Sequence, residues 1–584
     1  MLRRFLAGVG GLVLLSFTVR CLVASWVLAH GVPPLHDEAT YFALADGWVD
    51  LWRGGGDDAW ARALGDGRWP PLHPAALALG SSTAGLAGAR MIGCLLSALT
   101  TGLVYAFGRR LVGSRAARVG AAIHAVAPAF VFYSHSLWSE NLALFFAFGG
   151  LVLALDARRA LGGDGGLRGT ALAAAAGVVL GAAVLTRVAL APWAALVPCG
   201  LAMSPGPGRR RIRLAAAAAA GAAVVIAPWV AVQVDRYDHL GLSTLGGYNL
   251  ALGNHAEVPA AYGSSWGHAE STRAILGELR SRADAAGTEW WRPASGLARS
   301  TVSADPAAAL GRVVVRLWLL AAPDVLPIRH VLHATYPPLS PWMTAFLTGA
   351  VVLSHVALLF AGVLGLLTGS AATSAGRLVP WLALAALAPP ALSVAPTRVF
   401  LPVEALLLPG IGAVAVAMTG GGGWAPPRRA SVAAAAVAVL SLVSLPRVVE
   451  LYWRPSIHSA PAVDAFARSL GAAVIYSDAY RLERAGPAAA DDLTIALRAE
   501  GRRLAPRPWR SDDGPRRRPW PAGEGVILFD LFADDPRPGA VLEVRTPSGG
   551  VLASWRLGAD DAWRRPRADG DFTLTWLGGG ASPR

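Results

Sequence analysis

MLRRFLAGVGGLVLLSFTVRCLVASWVLAHGVPPLHDEAT, residues 1–40, decides how the rest of the chain is read. Arg3 and Arg4 precede an apolar run from about residue 5 to 30, longer than the roughly 7 to 15 residues of a signal-peptide core. A bilayer core of about 30 Å takes roughly 20 apolar residues in a helix, so this run is expected to be a retained span entering from the cytoplasm. Directly beyond it stand His36, Asp37 and Glu38, which places an acidic pair just outside the membrane.

The composition points the same way. Of 584 residues, 54% are hydrophobic and 15% charged, against roughly 25% charged in ordinary soluble domains, and mean hydropathy is +0.45. That excludes a disordered chain and argues against a soluble enzyme. All 52 basic residues are arginine, which excludes lysine chemistry. The net charge of +14 is concentrated in short gaps between apolar runs, a positive-inside pattern, so a lipid bilayer rather than nucleic acid is the expected partner. Cys21, Cys94 and Cys199 lie in apolar stretches without metal-ligand spacing, so neither a disulfide framework nor a zinc cluster is expected.

Further apolar runs fit spans at about 87–107, 119–136, 141–157, 170–186, 188–203, 214–234, 342–368, 378–396, 399–418 and 431–449, about eleven with the first. Alternating them from a cytoplasmic start puts five Arg-bearing gaps on the cytoplasmic side. These hold Arg109, Arg110, Arg115 and Arg118; Arg158, Arg159 and Arg168; Arg209, Arg210, Arg211 and Arg213; Arg377; and Arg428 and Arg429. Loops 31–86 and 235–341 and everything after about 450 then face outward. The expected fold is an all-α polytopic membrane protein, residues 1–450, with a small C-terminal external α/β domain, residues 455–584. In that tail Val526 to Asp530 and Ala540 to Arg545 read as strands, and Asp464 to Leu470 as a helix before a strand from Ala473 to Tyr476. The expected location is the cell membrane, inner or plasma, with the active site and C-terminus extracytoplasmic.

Several polar groups gather at the outward ends of these spans. A carboxylate beside the membrane, partly shielded from water, is suited to take a proton from a hydroxyl, although an acidic pair also describes a solvated helix end. The first loop ends in Arg68-Trp-Pro-Pro-Leu-His73-Pro, whose basic groups suit an anion or an interfacial anchor. Arg90, Glu140, Arg187 and Arg398 sit at or inside span ends, where ionisable groups point to function. Arg398, between Pro396 and Pro402, suits a bidentate grip on phosphate, and as an outward cation it runs against the positive-inside bias. Arg20 has room to snorkel, and His124 suits helix packing. Asn249 and Asn254, in a Gly-rich run, read as turn residues whose amides could hold a sugar.

In order, His36-Asp-Glu-Ala-Thr-Tyr41, Trp69-Pro-Pro-Leu-His-Pro74, Ser139-Glu140, Leu185-Thr-Arg187, Pro228-Trp229, Gly246-Gly-Tyr-Asn-Leu-Ala-Leu-Gly-Asn254 and Thr397-Arg-Val-Phe-Leu-Pro402 resemble the GT-C superfamily of membrane glycosyltransferases. By pattern they are most similar to the protein O-mannosyltransferases and the lipid A aminoarabinose transferase group, over about residues 1–450. The resemblance implies inverting transfer of a sugar from a polyprenyl-phosphate donor to an extracytoplasmic acceptor, whether protein, lipid or glycan. It implies Asp37 and Glu38 as the catalytic pair, with Asp37 the base, and Arg187 and Arg398 on the donor phosphate. His36, Tyr41, Arg68, His73, Arg90, Glu140, Asn249 and Asn254 become substrate-binding candidates. No cofactor is required, and a divalent metal beside the acidic pair, used by some relatives, stays open. The chain departs from the pattern at Val232-Gln233, where members often carry Arg-Asn, at Phe400, where many carry Arg, and at Trp69, where a basic residue is frequent. The alternative is a polytopic lipid or glycan transporter or flippase, which would also explain internal arginines and prolines. It is separated by the gathering of polar groups at one face and by the lack of matching interrupted helices in two halves.

Overall fold

The computed structural model describes residues 8–30, 32, 34, 37–162, 166–255, 258, 269–324, 326–332, 336, 339–370, 376–394, 396–419 and 425–452, and beyond these the strands between 479 and 578 with Gly550. The helices are α1 Val9–Ala29, α2 Asp37–Trp52, α3 Asp57–Leu64, α4 Leu72–Val112, α5 Ser114–Val126, α6 Pro128–His135, α7 Glu140–Arg159, α8 Gly166–Thr186, α9 Ala191–Ala202 and α10 Gly208–Tyr237. They continue as α11 Leu245–Asn254, α12 Ala269–Ala286, α13 Ala294–Ala304, α14 Pro306–Leu320, α15 Leu326–Leu332, α16 Pro341–Gly365, α17 Leu378–Leu392, α18 Leu401–Thr419 and α19 Arg428–Tyr452.

Eight helices among the described residues are long and apolar enough to cross a bilayer, or nine if the bent pair α5 and α6 is one span. The sequence led to an expectation of about eleven. The difference lies in two shorter apolar helices, Val188–Ala202 and Leu378–Leu392. The second carries Pro389 and Pro390 near its end, where missing N–H groups prevent continuation. The expected loop 235–341 is largely helical where described, and the run from Leu245 to Asn254 forms a helix rather than the expected turns.

Two breaks have clear local causes. At Ala127, in an extended conformation before Pro128, the chain bends by 53° between α5 and α6. Pro128 has no N–H for the carbonyl of His124, four residues earlier, and the fully buried Arg20 supplies donors instead. Its Nη2 reaches His124 O at 2.9 Å and its Nη1 reaches Ala125 O at 2.7 Å. Arg20 therefore does not snorkel; it closes the break. Its neighbour His124 packs as expected, with Nδ1 2.9 Å from Thr101 Oγ1. The second break lies in α4 at Ala84 and Gly85, where Gly85 takes φ +54°. A Cβ on Gly80 would stand 2.3 Å from Gly88 O, whereas eight residues of straight helix span about 12 Å, so α4 doubles back on itself.

The bundle packs through small residues. Helix α8 lies against α7 and α10, and a Cβ on Gly177 would meet Ala218 O at 1.9 Å. Only glycine permits that backbone approach, the packing that replaces hydrophobic driving force within lipid.

The described part of the tail is built from β-strands. Strands β1 Ala479–Arg484, β2 Thr494–Ala499, β3 Arg502–Leu504, β4 Val526–Asp530, β5 Ala540–Arg545, β6 Val551–Leu557, β7 Arg567–Asp569 and β8 Phe572–Gly578 form two antiparallel sheets. Their orders are β4-β1-β8-β7 and β3-β2-β5-β6. In register, Leu482 pairs with Ile527 and Leu574, and Val544 with Ala553. The expected strands at 526–530 and 540–545 are present, while the expected helix at 464–470 and strand at 473–476 lie outside the described residues.

Candidate functional site

Four helix ends bring ionisable groups together. Helix α2 opens with Asp37 and Glu38 in its first turn, where the helix dipole favours carboxylates. Helix α7 opens with Glu140, and Arg187 follows the last residue of α8. Arg398 lies in the 3-10 turn Thr397–Phe400 that leads into α18. Arg398 Nη2 donates to Asp37 Oδ2 at 2.6 Å, across 361 residues of sequence. Its Nε stands 3.6 Å from Glu140 Oε1, and Arg187 Nη1 donates to that same oxygen at 2.7 Å. The result is an alternating chain, Asp37, Arg398, Glu140, Arg187, with two charges of each sign.

Burial grades along this chain. The Glu140 side chain is 3% exposed, both arginines are 17% and Asp37 is 26%. Glu140 Oε2 and Arg398 Nε are buried without hydrogen-bond partners, so the central pair holds unused capacity, one acceptor and one donor. Beneath Arg398, 4.7 Å from its Cζ, lies the ring of Trp138, a cation–π plate. Glu38 is buried and does not face the quartet through Oε1, which accepts the Leu137 N–H at 2.7 Å and so fixes the loop leading to Glu140.

The other expected residues divide in two. Tyr41 and His73 flank the acidic pair: the Tyr41 ring lies 4.7 Å from His73 and 4.9 Å from Trp69, and burial pushes the Tyr41 phenol well above its usual range. His73 Nε2–H donates to Leu137 O at 2.8 Å, the same residue Glu38 holds by its N–H. Arg90 is buried, with amino groups donated to His135 O at 2.9 Å and Val32 O at 3.1 Å, where it caps the end of α6. Asn254 joins two helices through Leu250 O and Leu392 O, both at 2.9 Å. Arg68 pairs with exposed Asp66 and lies 5.6 Å over Trp290, and Asn249 is half-buried on α11. His36 lies outside the described residues.

At the positions of departure, Gln233 donates to Gly67 O at 2.9 Å and Phe400 packs 5.8 Å from the His355 ring. Among the described residues no three His, Cys, Asp or Glu side chains converge, and Asp37 Oδ2 already holds a guanidinium.

Sequence reasoning missed Trp138, Tyr133, Asp324 and His355. Asp324 accepts from Thr397 Oγ1 at 2.8 Å, from the Leu326 N–H at 3.2 Å and from the Tyr133 hydroxyl. Burial pushes the Asp324 carboxyl above its usual range against the pull of those donors. With His355 and Glu404, whose Nδ1 and Oε1 stand 2.5 Å apart, it lines a cavity walled by Ile123, Phe130 and Leu358.

No family model matches the chain, and no curated protein matches it. Solved structures do. AglB oligosaccharyltransferase from Archaeoglobus fulgidus, in complex with an inhibitory peptide and a dolichol-phosphate, is 14% identical, matched over 75% of this chain and 55% of its own, with TM-score 0.41. The apo form of the Archaeoglobus fulgidus oligosaccharyltransferase gives 12%, 75%, 56% and 0.40. ArnT from Cupriavidus metallidurans in the apo state is 18% identical over 68% of this chain and 76% of its own, with TM-score 0.30. The matched part spans about half of the oligosaccharyltransferase chains.

Proposed function

We propose that the chain is a GT-C type membrane glycosyltransferase, which moves a sugar from a polyprenyl-phosphate donor to an acceptor hydroxyl on the extracytoplasmic side with inversion. The observation that carries this reading is the convergence of Asp37, Arg398, Glu140 and Arg187 from four helix ends. A base and two phosphate-matching guanidiniums within one contact chain are what a single displacement at an anomeric carbon requires.

In the unliganded state Arg398 neutralises Asp37. A donor phosphate entering between Arg187 and Arg398 takes over as their partner and releases Asp37. The freed carboxylate accepts the acceptor hydroxyl's proton, the oxygen bonds to the anomeric carbon, and the bond from that carbon to the phosphate oxygen breaks. The electron pair leaves with polyprenyl phosphate, whose growing charge the two guanidiniums stabilise. A phosphate leaving group needs no general acid.

The test is purified protein in nanodiscs given a polyprenyl-phosphate sugar panel and candidate acceptors, with the product's anomeric configuration read by NMR. Inverted product that disappears in Asp37→Asn is the expected result. Intact lipid-linked sugar crossing the bilayer without cleavage would move the protein to the transporters.

A further inference from the structure

We propose that Asp324 is a positioning residue for Arg398, holding both the turn that carries the guanidinium and the aromatic plate on which it lies. This rests on the reading of Arg398 as the donor-phosphate grip. One carboxylate reaches both supports. Asp324 Oδ1 accepts from Thr397 Oγ1 at 2.8 Å, and Thr397 opens the 3-10 turn in which Arg398 is the next residue. Asp324 Oδ2 accepts from the Tyr133 hydroxyl, and the Tyr133 ring lies 5.7 Å from Trp138, the plate under Arg398.

Asp324 is 6% exposed, and its three donors are two hydroxyls and a backbone amide with no cation among them. Burying a carboxylate on neutral donors is costly. A helix junction needs only an amide or hydroxyl for such a tie, whereas a carboxylate offers two oxygens in one plane. Here one oxygen takes the Thr397 hydroxyl of the turn and the other the Tyr133 hydroxyl beside the ring, which ties the guanidinium to both its backbone and its ring.

The experiment measures binding of undecaprenyl phosphate to the full chain in nanodiscs. Asp324→Ala strands two buried hydroxyls and should weaken binding about tenfold. Asp324→Asn keeps an acceptor for Thr397 and Leu326 and offers N–H to the Tyr133 oxygen, so it should stay within about threefold of wild type. The deciding measurement is the double-mutant cycle: on an Arg398→Ala background, Asp324→Ala should add less than about twofold, because a residue acting through Arg398 has nothing left to position. The same tenfold loss on both backgrounds would overturn the proposal and leave Asp324 as a general packing residue. Should Asp324→Ala fail to fold, Thr397→Val and Tyr133→Phe each remove one tie and run the same cycle. Wild-type binding in Arg398→Ala alone would instead remove the phosphate-grip reading, an outcome distinct from failure of the cycle.

Discussion

At the scale of single residues, the pairing of Asp37 with Arg398 links two functions that sequence would assign separately. Asp37→Asn removes basicity while nearly preserving shape, so turnover should fall by about 10² to 10⁴ in a transfer assay. The same substitution removes a competitor for the guanidinium, so undecaprenyl phosphate should bind more tightly, by about three- to tenfold, in a titration. Unchanged or weaker binding would mean that phosphate and Asp37 do not share Arg398. Arg398→Lys keeps the charge but loses the fork that spans Asp37 and Glu140 and the flat face on Trp138. It should bind the lipid phosphate at least about tenfold more weakly than wild type, and full rescue by lysine would reduce the residue to a point charge.

At the scale of elements, the close helix pair α8 and α10 makes a stability prediction. Gly177→Val places side-chain atoms where Ala218 O lies, and overpacking of this kind costs about 1 to 3 kcal/mol. Thermal unfolding in detergent should register that loss, whereas Gly277→Val, at an open and exposed position inside α12, should not. The elements also show what the sequence could reveal. Spans such as 141–157 and 170–186 were legible because twenty apolar residues have few other uses, and Glu140, Arg187 and Arg398 were legible because a charge at the end of such a span is conspicuous. Asp324 was not, although it is the single charge in the apolar stretch Leu317 to Ile328: it lies within the long loop rather than at the end of a span, and its contacts are made by residues 191 and 73 positions away. Trp138 was not singled out, being one aromatic among many, whereas the fold-back of α4 left a trace in Gly80-Ser-Ser-Thr-Ala-Gly85-Leu-Ala-Gly88, small and polar residues that interrupt the apolar run.

At the scale of the whole molecule, we propose that loops 31–86 and 235–341 and the tail lie outside, because that parity gathers the arginine-bearing short gaps on the cytoplasmic side. Single cysteines replacing Gly55 and Gly422 on a cysteine-free background should react oppositely with an impermeant thiol reagent, Gly55→Cys from outside and Gly422→Cys only after permeabilisation. The reverse pattern would invert the topology. We propose that the tail is a separable domain that helps choose the acceptor, since its two sheets lie outside the stretch that carries the family-like motifs. Truncation after Arg454 should therefore leave lipid-phosphate binding intact and lower transfer, and loss of binding equal to that of Arg398→Ala would place the tail within the core site.

The charge balance of the quartet has a consequence for turnover. Two carboxylates and two guanidiniums sum to zero, so each ligand brings its own charge into a neutral, largely buried site. The proposed donor is a phosphodiester with one negative charge, whereas the lipid it would release is a monoester carrying about −1.5 to −2 near neutral pH. Two arginines therefore hold the spent lipid more firmly than the fresh one. On the proposed reading the two arginines oppose departure of the lipid, and turnover depends on whatever clears spent carrier from that leaflet.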